Sequence, residues 1–198
     1  MDFDDLISER VPPANRAGTH TGKFERHLSE GAVIVAYAMH LIRTEAVKTI
    51  TISPDGEHGK RFQFREWFGQ QGFELVASSG NTTYGGRYED AKGRVLTVSL
   101  RPGFGDVAAE LVDGTRIIAE CKGGVVSSKH AGQLSRLRKG LCEVVGQLMA
   151  APAEGRQVAV VPNTEVTARL AEKLAPRCRA AGIVIALVGD RGEVTDVA

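Results

Sequence analysis

The strongest constraint on this chain lies between Asp106 and Lys122, read DVAAELVDGTRIIAECK. Two strand-forming runs flank Asp113-Gly114, a dipeptide that favours the tight turn of a β-hairpin. Side chains alternate along a strand, so the loop length decides which of them share a face. A two-residue loop pairs Val112 with Thr115, sets position 106 opposite Cys121 and turns Asp106 away from Glu120. A three-residue loop, Val112-Asp113-Gly114 with a left-handed Gly114, pairs Leu111 with Thr115 and sets Asp106 opposite Glu120. Glu120 and Lys122 share a face in either case. Two carboxylates and a lysine therefore meet only in the second register, or with an equivalent bend near Gly105. Positive φ is expected at Gly114.

That constellation has a specific chemistry. Mg²⁺ is a hard cation, held by one or two carboxylates with water and phosphate oxygens completing its shell. Asp106 and Glu120 are the expected ligands of Mg²⁺ or Mn²⁺, with the backbone carbonyl of Cys121 as a third oxygen. Such a metal lowers the pKa of a bound water and offsets charge on an attacked phosphate. Lys122 is placed to orient the water, to deprotonate it, or to stabilise the transition state.

The remaining pattern predicts an α/β protein. Residues 1–24 read as an N-terminal arm, broken by Pro12-Pro13 and Gly18, and residues 25–198 as a single domain. Helices are expected over Lys23–Thr44, His58–Gln71, Ala131–Ala150 and Glu165–Ala181 from apolar residues recurring at helical spacing. Strands are expected at Val47–Ser53, Phe73–Ala77, Val95–Arg101, Asp106–Val112, Thr115–Cys121, Gln157–Val161 and Ile183–Val188, with 95–121 read as a three-strand meander. Ser78–Gly86 reads as a loop and the residues after Gly189 as a frayed end. The late strands are apolar on both faces, which calls for helices on both sides of a sheet.

Composition removes several classes of function. The longest apolar run, Ala32–Ile42, is too short to span a bilayer, and the acidic start MDFDDLISER lacks an apolar signal core. No membrane partner and a cytoplasmic location are expected. Three scattered cysteines without a CxxC pair argue against zinc or a disulfide framework. The net charge is only +1, so contact with a polyanion has to come from local patches. One such patch is Lys122–Gly140, which holds Lys129, His130, Arg136, Arg138 and Lys139 and no acid. Lys129, Arg136, Arg138 and Lys139, with Arg87 from the 78–87 loop, are the expected phosphate contacts. Within helix 131–150, Gln133, Arg136, Gly140, Glu143 and Gln147 form a polar stripe. Gly140 costs this helix about 1 kcal/mol relative to alanine, and leaves space for a strand or substrate to approach.

Asp106 and Glu120-x-Lys122 on adjacent strands, followed by a long helix, resemble the PD-(D/E)xK nuclease superfamily. The resemblance covers roughly Val95–Val161, with a helix before it. It implies a restriction-endonuclease-like mixed central sheet flanked by helices on both faces. It also implies Mg²⁺-dependent hydrolysis of DNA phosphodiesters, with Asp106 and Glu120 as ligands and Lys122 catalytic. Residue 105 is Gly where the motif has Pro. Some branches carry Gln-x-x-x-Tyr on the following helix; here Gln147 is present but Ala151 replaces the tyrosine. Some place a glutamate of the first helix at the metal, for which Glu30 and then Glu25 are the candidates. A homodimer is expected, because one site cuts one strand. The competing reading is a catalytically silent nuclease-fold module that binds DNA or a protein partner.

Overall fold

The computed structural model describes residues 7–11, 25–54, 63–101, 103, 105–152 and 154–197. Strand β1 (Ile7–Arg10) pairs antiparallel with β2 (Glu25–Leu28), and helix α1 (Glu30–Thr44) follows. The expected helix over 23–44 is thus shorter: Lys23 and Phe24 lie outside the described residues, and 25–28 is a strand. Ser29 sets the boundary, because its side chain accepts the Ala32 N–H and caps α1. Part of the expected arm is ordered too, since Ile7–Arg10 is a sheet strand; most of the rest of it lies outside the described residues.

After α1 come β3 (Val47–Ile52), α2 (Phe64–Gln70), β4 (Phe73–Ser78), β5 (Gly86–Asp90) and β6 (Val95–Val98). Residues 58–62 of the expected second helix lie outside the described residues. Strand β5 lies where no strand is expected. Its polar residues Arg87, Glu89 and Asp90 mask the pattern, but Tyr88 is fully buried between them. Then follow β7 (Val107–Leu111), β8 (Arg116–Cys121), β9 (Gly124–Val125) and α3 (Ala131–Ala150). The chain continues through β10 (Arg156–Pro162), α4 (Glu165–Ala180), β11 (Ile183–Val188) and β12 (Val194–Val197). The residues beyond Gly189 are not frayed, because β12 pairs antiparallel with β11.

The described strands form a mixed sheet in the order β12-β11-β10-β8-β7-β3-β6-β5-β4 and a small sheet β1-β2-β9. The expected meander is interrupted: β3 lies between β6 and β7, parallel to the first and antiparallel to the second. The segment from Ser99 to Asp106 carries Pro102, Gly103 and Gly105 and crosses β3 instead of turning tightly.

Alternation along β10 sorts the core. Val158 and Val160 pack on the side of α1, with Ile34, Leu41 and the β8 residues Ile117, Ala119 and Cys121. Ala159 and Val161 pack on the opposite side with Leu141, Val144 and Leu148 of α3 and Ala171 of α4. Parallel β8, β10 and β11 are therefore covered on both faces. Glu120 is in register with Ala159, so its side chain lies on the α3 face.

Candidate functional site

The β7–β8 hairpin takes the three-residue loop. Val107 pairs with Ala119 and Glu110 with Arg116. Leu111 N–H donates to Thr115 O at 2.9 Å and Gly114 N–H to Leu111 O at 3.0 Å. Gly114 has φ +86°. The pairing runs from Glu110 to Val107, and Asp106, just before it, gives its N–H to Ala119 O at 2.9 Å while its C=O accepts the Ser53 N–H at 2.9 Å.

Asp106 sits just before β7, after a second left-handed glycine, Gly105, with φ +77°. A Cβ on Gly105 would stand 2.8 Å from Ala119 O, so glycine alone lets the chain pass this close to β8. The Asp106 carboxylate accepts the Cys121 N–H at 2.8 Å. N–H and C=O of one strand residue point the same way, so the Cys121 carbonyl also faces the Asp106 side. Three acids converge electrostatically here. Burial, then the charges of Asp106 and Glu30, push the Glu120 carboxyl up to about 7 despite the pull of Lys122. Burial and the charges of Asp106, Glu30 and Glu120 hold the Cys121 thiol far above its ordinary range. Glu30, the first residue of α1, therefore belongs to the site.

Lys122 is the cation within this group. Its Nζ lies 3.4 Å from Glu30 and 3.1 Å from Glu143. Burial alone would favour the neutral amine; the hydrogen bonds and charges of Glu143 and Glu30 outweigh it and raise the pKa. The stem of Lys122 crosses α3 at Gly140, where an added Cβ would lie 3.2 Å from Lys122 Cγ. The space left by Gly140 is thus taken by a strand residue. Glu143 had no role in the sequence reading. Its signal was its place three residues beyond Gly140 in the polar stripe.

The other predicted residues lie further out. Gln147 is exposed, two turns beyond Gly140 and so about 10 Å along the helix. Lys129, Arg136, Arg138 and Lys139 are exposed and make no ion pair within the described residues. Arg87 is on β5, four strand spacings or about 19 Å from β8, and pairs with Glu89 at 2.5 Å. Glu25 is not beside the other acids; it is buried and hydrogen-bonded to Ser128.

The donor set suits a hard divalent cation: carboxylates at 106 and 120, a third acid at 30, and a carbonyl facing the same edge. Burial and their mutual repulsion, which together raise the Glu120 pKa, are what such a cation would offset. Among the described residues, no three His, Cys, Asp or Glu side chains are gathered into a ready-made cage. Among them also, no helix is long and apolar enough to cross a membrane. Comparison with family models, curated proteins and solved structures finds no match to this chain.

Proposed function

We propose that this protein is a metal-dependent nuclease of the restriction-endonuclease-like class that hydrolyses DNA phosphodiester bonds. One observation carries the reading. Across the hairpin, the Asp106 carboxylate accepts the N–H of Cys121, the residue between Glu120 and Lys122, at 2.8 Å, and its charge adds to the burial that raises the Glu120 pKa. Mg²⁺ or Mn²⁺ would be held by Asp106 and Glu120, with the Cys121 carbonyl and Glu30 nearby. Bound there, it would supply Lewis acidity and a water of lowered pKa.

The chain's own groups do the rest. Lys122 stays protonated between Glu30 and Glu143, so it serves as a fixed positive charge toward the attacked phosphate and its water rather than as a base. Gly140 admits the lysine stem and fixes its height over α3. The exposed cations Lys129, Arg136, Arg138 and Lys139 meet flanking phosphates. Two copies would be needed to cut both strands of a duplex.

The test is incubation with plasmid, linear duplex and single-stranded DNA in Mg²⁺ or Mn²⁺, beside Glu120→Ala and Lys122→Ala. Cleavage by the wild type that both variants lose supports the enzyme. DNA binding without cleavage in either metal supports the silent module instead.

A further inference from the structure

A cavity of about 190 Å³ opens beside the candidate site, lined in part by Glu25, His27, Gly124, Gln133, Arg136 and Leu137. Gly123 and Gly124 follow Lys122 directly, and Leu137 lies just under one helical turn before Gly140. The cavity is therefore about 5 Å along α3 from the lysine. Its near wall is held in place. A Cβ on Gly123 would come within 2.5 Å of the Glu30 N atom, so this turn is seated on the start of α1.

The lining selects the kind of ligand. Leu137 and Val125 are apolar and buried. Glu25 is 7% exposed and is held by Ser128, so a carboxylate is built into the wall. That excludes a bare phosphate from the interior, because two anions would meet where water is scarce. A flat, largely apolar ring with N–H donors on its edge fits instead. Glu25 accepts from such an edge, Gln133 both donates and accepts, and His27, Leu137 and Val125 line the rest of the wall. Arg136 at the rim is exposed and suits the phosphate of the same nucleotide.

We infer that this cavity binds one unpaired nucleobase next to the bond to be cut, so that the substrate is single-stranded DNA or a frayed end. A base held in a closed stack cannot enter a pocket without unpairing, which costs a few kcal/mol in an intact duplex. The catalytic consequence rests on the nuclease reading; the binding does not.

The experiment separates the two. Affinity of the full chain for a labelled single strand and for its blunt duplex is measured by fluorescence anisotropy in EDTA, where nothing is cut. Single-strand binding is expected to be at least about tenfold tighter. Gln133→Leu, on the surface of α3, should weaken it about tenfold and leave duplex binding unchanged. Oligodeoxyadenylate should bind several-fold better than oligothymidylate, which lacks an exocyclic amine, and Glu25→Gln should flatten that preference while keeping the Ser128 contact. A 5′-phosphate should change nothing. Equal affinity for strand and duplex, a dependence on terminal phosphate, or a folded Gln133→Leu with unchanged affinity overturns the inference. If the expected pattern holds but Mn²⁺ produces no cleavage, the pocket stands and the nuclease reading falls. If duplex and single strand are cut at equal rates by wild type and Gln133→Leu, the reverse is true.

Discussion

Asp90 and Glu120 are both acids on strands of one sheet, and their environments are opposite. Asp90 ends β5 on the far wing. Burial works against its charge, but two N–H groups of Arg94 and the Lys92 N–H bond to it and hold its pKa below the ordinary value. Arg94 in turn donates to Ile42 O at 2.7 Å and stands over Phe73. Glu120 is burdened by burial and by two further acids. On the far wing acids find cations, as in Arg87–Glu89 and Arg94–Asp90, and Lys48 pairs with Glu110 in the middle of the sheet. At β8 acids outnumber the cation among them, while Arg136, Arg138 and Lys139 of α3 make no ion pair within the described residues. Satisfied charge is what a sheet needs to be stable; unsatisfied charge of one sign at a strand end is what a cation site needs.

The largest effect that could break this contrast is on turnover. Glu120→Ala or Lys122→Ala should lower DNA cleavage at least about a hundredfold, in line with the loss of one transition-state contact. Arg87→Ala on the far wing should leave the cleavage rate within about twofold. A similar loss in all three would remove the distinction between the two regions.

Next come the two acids in stability. Asp90→Asn should cost about 2 kcal/mol at pH 7 by denaturant unfolding, the usual scale for a charge-assisted hydrogen bond. The folded pKa of Asp90 is depressed, so its contribution is full above the unfolded value of 3.8 and is lost as pH falls through the folded value. Glu120 has the opposite sign. Its folded pKa of about 7 exceeds the ordinary value of 4.5, so the native state is favoured at low pH, and that advantage is lost as pH rises from 4.5 through 7. Glu120→Gln should therefore stabilise the metal-free protein at pH 8 by on the order of 1 kcal/mol, allowing for solvent screening of a half-buried carboxyl, and change little at pH 4.5. Saturating Mg²⁺ or Mn²⁺ should raise the Tm of the wild type and not that of the variant.

The smallest effect sharpens the account of α3. Gly140→Ala gains up to about 1 kcal/mol of helix propensity, yet its methyl presses on the Lys122 stem. A Tm equal to or above that of the wild type, with cleavage slowed several-fold, is expected from thermal melts and the DNA assay together.

What the sequence revealed follows from where its information is local. The Val112-Asp113-Gly114 loop fixes the β7–β8 register through one left-handed glycine, so the three-residue turn was legible; the irregularity at Asp106, whose N–H turns to Ala119 O, was not. Helix α3 and strands β10 and β11 have long, clean periodicities and were placed almost to the residue. Strand β2 was hidden because it runs into α1 and its one apolar residue, Leu28, extends the helical pattern; only Ser29 divides them. Strands β5, β9 and β12 are short or polar, so their alternation is weak, and β9 also takes its place from β2, far away in sequence. The insertion of β3 between β6 and β7 is likewise a long-range pairing that no local pattern encodes. The same limit applies to Glu143, whose pairing with Lys122 requires knowing that β8 lies across Gly140.

Anomalous diffraction from a crystal grown in manganese tests the central claim most directly. The account predicts one Mn²⁺ peak within coordination distance of the Asp106 and Glu120 carboxylates, on the side faced by the Cys121 carbonyl, with Lys122 still between Glu30 and Glu143. A well-ordered β7–β8 edge carrying no manganese, or manganese bound elsewhere while Asp106 and Glu120 stay apart, would contradict it.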